Sequence, residues 1–136
     1  MMNIFPGLDL APIEFLMFGK DDGPQWSEDK TMSVSQEYRR FLYMKKHNPQ
    51  MLIVPSEEVD TFWHMHILDT RKYASDCDYI FGYFLHHNPY LGTKNAEDLL
   101  RLENLYAETK ELYTATFGCT VPNQYASAFC ASCGTD

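Results

Sequence analysis

Apolar residues recur at helical rather than alternating intervals along most of this chain. In the longest such stretch, Val59, Phe62, His66, Thr70, Tyr73 and Cys77 fall on one stripe of a helix turning about 100° per residue, with Asp69 at its edge. Ser56 after Pro55 is a good N-cap, and Glu57 and Glu58 then sit where the helix dipole favours negative charge. The spacing therefore predicts a helix from Ser56 to Phe84. Gly82 can break or bend it, and Asn88-Pro89 turns the chain away from helical geometry. A second helix is expected up to His47, with Val34, Tyr38, Phe41, Leu42 and Lys45 on its apolar face and Asn48-Pro49 as its stop. Its start has two candidate caps, Ser27 after Gly23-Pro24, and Ser33 in the capping-box spacing Ser33-Val34-Ser35-Gln36. The clearest amphipathic helix runs from Ala96 to Phe117, where Leu99, Leu102, Tyr106, Leu112, Tyr113 and Thr116 recur and Gly118 supplies a C-cap. Leu10 to Gly19 fits either a short helix with Pro12 in its first turn or an extended segment lying across the core.

These elements add up to an all-α protein, a compact bundle of about three principal helices with an irregular N-terminal segment and a C-terminal Cys-x-x-Cys tail. With 45% hydrophobic and 15% aromatic content, 136 residues can build one substantial core, so one domain over residues 1–136 is expected. The charge of −8, from 19 acidic against 11 basic residues, opposes attachment to phosphate backbones or anionic lipid, which argues against nucleic acid and membrane partners. Arg39-Arg40 and Lys45-Lys46 are the local basic concentration, and before Asn48-Pro49 their expected role is to complement a helix C-terminal dipole. No apolar run approaches the roughly 20 residues that span a bilayer, and no signal-peptide pattern opens the chain. Cytoplasmic residence is the resulting expectation. The four cysteines then read as thiols, metal ligands or redox groups.

Chemistry concentrates where four of the five histidines lie, at His64, His66, His86 and His87. His66 is expected to face inward beside Asp69 and Cys77, while His64 points elsewhere, one turn after Asp60, which could orient it. Two positions apart on a helix do not face each other, so His64 and His66 cannot share one metal without a distortion. On a straight helix His86 would lie about 30 Å from His66, at 1.5 Å per residue, so a folded-back segment is needed to bring them together. His87 fits a helix C-terminus, where imidazoles meet the carbonyl end of the dipole. Cys130-Ala131-Ser132-Cys133 lets two sulfurs converge on a metal or form a redox pair, although structural zinc needs two further ligands.

The segments Tyr38 to Tyr43, Val54 to Asp60, Trp63-His64-Met65-His66-Ile67-Leu68-Asp69-Thr70 with Arg71 to Tyr73, Asp76-Cys77 and Phe81 to Tyr90 resemble the bacterial glycine-rich domain-containing protein-like family, over most of the chain. The glycine-rich region of its plant relatives is missing, with 7 Gly in 136 residues. The resemblance implies one long helix from Ser27 to His47 and no established reaction.

Several chemistries lack their parts. There is no phosphate-cradling Gly-Lys-Ser/Thr loop, no Gly-x-Gly-x-x-Gly, no Gly-x-Ser-x-Gly and no HExxH. The leading expectation is a transition-metal-binding helical protein with His64, His66, His86, Cys130 and Cys133 as ligand pool, surrounded and oriented by Asp60, Trp63, Tyr73 and Cys77. Zinc, copper and iron all suit such ligands, and an open coordination position would permit water activation or oxygen chemistry. Whether the chain is an enzyme stays open at this point. One alternative is a noncatalytic module with a structural His/Asp/Trp core, binding an unidentified protein, peptide or small molecule. Another is a metal-free acid/base site built on His66 with Asp69, or His64 with Asp60.

Overall fold

A computed structural model of the protein describes residues 4–90 and 92–122. Five helices follow one another: α1 (Ala11–Phe18), α2 (Glu28–His47), α3 (Glu57–Leu68), α4 (Thr70–Ile80) and α5 (Ala96–Phe117). No strand occurs among the described residues. The helical class is as the periodicity indicates, but the described residues form five helices rather than about three.

The ends of α2 and α5 follow from local chemistry. The Ser27 side chain accepts the Lys30 N–H at 3.0 Å, so the earlier of the two candidate caps is the one used. Asn95 caps α5 by accepting from Asp98 N–H, and Gly118 closes it at φ +78°, where an L side chain is strained. Leu10 to Gly19 resolves as a helix with Pro12 in its first turn and Ile13 and Met17 fully buried.

The expected helix from Ser56 to Phe84 divides in two. Asp69, at φ −84° and ψ 75°, ends α3 and opens α4, while its carbonyl still accepts from Tyr73 N–H at 2.8 Å. Neither Gly nor Pro makes this corner. The second helix stops at Ile80, ahead of Phe84, where Phe81 and Gly82 N–H both reach back to the Cys77 carbonyl and Gly82 takes φ +80°. Of the stripe expected on a straight helix, Val59, Phe62, His66, Tyr73 and Cys77 are buried, whereas Thr70, at the corner, is exposed.

The core is centred on α2 and α3. Tyr38 packs against Phe62 with ring centroids 5.1 Å apart, and Phe41 against Trp63 at 5.0 Å. The arginines of α2 do not serve its dipole. Arg39 donates to the carbonyls of Ile4, Phe5 and Leu8, fastening the N-terminal segment. Arg40 donates to the Tyr113 hydroxyl of α5 at 2.5 Å, and that hydroxyl bonds in turn to the buried Glu37 carboxylate. No helix of the described residues is long and apolar enough to cross a membrane.

Candidate functional site

The corner at Asp69 folds α4 back on α3, and two pairs of side chains ten residues apart meet across it. His66 Nε2 lies 2.8 Å from Asp76 Oδ2, and Trp63 Nε1–H donates to the Tyr73 hydroxyl at 2.9 Å. On the far side of the imidazole the Tyr38 hydroxyl of α2 stands 2.7 Å from His66 Nδ1. Asp76, also 3.2 Å from Lys72 Nζ, accepts as a carboxylate, so His66 carries its proton on Nε2 and receives the Tyr38 O–H at Nδ1. His66 is 1% exposed. Burial holds its pKa below the usual imidazole value even though Asp76 pulls the other way, which keeps the ring neutral. Burial pushes the Tyr38 phenol well up and the Cys77 thiol up, so neither supplies an anion near neutrality.

Tyr73 is a junction. Its hydroxyl, having accepted from Trp63, donates to the Leu85 carbonyl at 2.5 Å and so fixes the segment after α4. That segment carries His87 onto α3: its ring centroid is 4.4 Å from that of Trp63, and its Nε2 is 2.6 Å from Asp60 Oδ1. Beyond this pair opens a cleft of about 670 Å³ whose lining includes Lys45, Trp63, His87, Arg101, Leu102 and Tyr106. Ile53, Val54 and Pro55 contribute its apolar wall.

Several expected pairings are corrected by this geometry. Asp76, not Asp69, holds His66, because the break at Asp69 places Asp69 at an exposed corner and swings α4 across the imidazole. Asp60 bonds His87 rather than His64, which is exposed. His66 is a poor ligand in this arrangement, since each ring nitrogen already has a protein partner. His86 is exposed against the Phe84 ring. Among the described residues no group of three or more His, Cys, Asp or Glu is placed to hold a metal ion. Cys130 and Cys133 lie outside the described residues. Tyr73 and Cys77 are buried as the stripe indicates, and Trp63, which is not on the stripe, is buried as well.

Sequence reasoning missed Tyr38, Asp76 and His87 as partners, and it placed Lys45 on the apolar face and at the dipole of its helix without a cleft beside it. Tyr38 carried no signal beyond its place on an apolar face. His87 carried one, since the turn imposed by Asn88-Pro89 leaves the preceding residues free to fold back.

No curated protein and no solved structure matches the chain. A family model matches residues 17–110, a span running from α1 into α5 that contains Tyr38, His66 and Asp76 together with Asp60, Trp63 and His87. The polar chain through His66 and the wall of the cleft thus both lie within the matched region, and the protein belongs to the UCP032817-like family.

Proposed function

We propose that this protein is a ligand-binding module whose Trp63-His64-Met65-His66 segment builds and braces a binding cleft. The observation that carries this reading is the division of labour along α3. His66 is sealed from solvent with both nitrogens satisfied, so it offers neither a lone pair nor a proton to an outside molecule. Trp63, three residues earlier, backs His87 at the cleft. A cleft of about 670 Å³ has the size and the mixed apolar and polar lining of small-molecule sites. The Tyr38–His66–Asp76 chain then serves by holding α2, α3 and α4 in register, which fixes Trp63 and, through Tyr73 and Leu85, the segment bearing His87.

The test is amide-detected NMR of the isotope-labelled protein against a library of small fragments. Binding in the cleft moves the signals of Ile53, Val54, His87, Leu102 and Tyr106 together. Fragment shifts that gather elsewhere, or none at any concentration reached, would overturn the reading.

A further inference from the structure

The cleft is lined by a half-buried cation that no carboxylate answers among the described residues. Lys45 lies in the last turn of α2, half-buried, with its ammonium 5.9 Å from the centre of the Phe41 ring. It has no carboxylate within ion-pair distance among the described residues, although the chain carries 19 acids. The acids that line the cleft are otherwise disposed. Asp60 is engaged by His87, and Glu57 and Glu103 are exposed. Burial alone lowers the Lys45 pKa, with no nearby carboxylate to offset it. An ammonium drawn partly out of water without a counter-charge costs free energy that a bound anion would return. Arg101 lines the same cleft, exposed and likewise without a carboxylate partner among the described residues. Ile53, Trp63, Leu102 and Tyr106 give the cleft apolar and aromatic surface, beside the polar Ser56, His86, His87 and Asn88.

We infer that the cleft takes a small organic anion with an apolar body, its negative group paired with Lys45 Nζ and its body against Trp63 and Tyr106. The inference rests on the ligand-binding reading above and adds the charge of the ligand. A cation would meet Lys45 unfavourably, and a neutral molecule would leave it unanswered.

Three naphthalene probes of nearly equal shape separate these cases: 2-naphthoate, 2-naphthylmethanol and 2-naphthylmethylammonium. They are titrated by amide NMR into the whole protein and into Lys45→Met and Lys45→Arg, whose spectra also report that each variant is folded. Expected are a Kd for naphthoate about tenfold or more below that for the alcohol, corresponding to about 1.4 kcal/mol, loss of that preference in Lys45→Met, and its retention in Lys45→Arg. Equal binding of anion and alcohol, or a preference that survives Lys45→Met, overturns the inference and leaves the cleft as a neutral site. Failure of all three probes to shift any signal of the cleft overturns the inference and the ligand-binding reading together.

Discussion

Two histidine–aspartate pairs each have one member on α3, and they differ in almost everything but their chemistry. His66–Asp76 is closed off, with side chains 1% and 13% exposed, and a tyrosine occupies the other imidazole nitrogen. His87–Asp60 is more open, at 20% and 48%, and stands at a cleft with an indole behind it. A histidine motif is therefore a weak guide to chemistry until burial is known. The histidine that the sequence makes prominent, His66, is buried with both ring nitrogens engaged, and His87 lines the cleft.

Truncating the buried pair should have the largest effect. His66→Ala opens a cavity and strips partners from Tyr38 and Asp76, so urea unfolding should report a loss of about 3–5 kcal/mol, the range for emptying a large buried site. A loss below about 1 kcal/mol would erase the contrast between the pairs. Tyr38→Phe is gentler: it leaves His66 Nδ1 a buried acceptor without a donor, and the same measurement should give about 1–3 kcal/mol.

The buried histidine should also make the fold sensitive to acid. Because the folded state holds His66 below its usual value of 6.5, the unfolded chain binds the proton more readily. The stabilisation is complete above that value and is lost as pH falls through the folded value. Thermal midpoints at pH 7.5 and 5.5 should therefore drop for the natural protein and drop less for His66→Gln; equal drops would place the acid sensitivity in other groups. The smallest effect on stability is expected from His87→Ala, about 1 kcal/mol or less for a pair this exposed. Its consequence should instead appear in fragment binding at the cleft, and intact binding would remove His87 from the wall.

The C-terminal ends of α2 and α5 were legible because they are written locally, in Asn48-Pro49 and Gly118, whereas Ser27 and Ser33 competed as local caps for the start of α2. The corner at Asp69 was not. It lies in an unbroken apolar pattern without Gly or Pro, and what settles it is tertiary: the bonds from His66 to Asp76 and from Trp63 to Tyr73. On a straight helix residues ten apart are separated by about 15 Å along the axis, so no periodicity argument could have paired them. Thr70 accordingly falls on the expected stripe and Asp69 at its edge, where the fold interrupts it.

The Tyr73 hydroxyl has a consequence in time as well as in space. Its two bonds close separations of ten and twelve residues, whereas the bonds of Tyr113 to Glu37 and Arg40 close separations of 76 and 73. Loop-closure entropy grows by about 0.6 kcal/mol per doubling of length, so the longer closures cost about 2 kcal/mol more before any contact rewards them. The α3–α4 corner is thus the piece expected to be present when α5 arrives. In stopped-flow measurements Tyr73→Phe should slow refolding, while Tyr113→Phe should mainly speed unfolding. The reverse assignment would mean that the chain is first gathered by its most distant contacts.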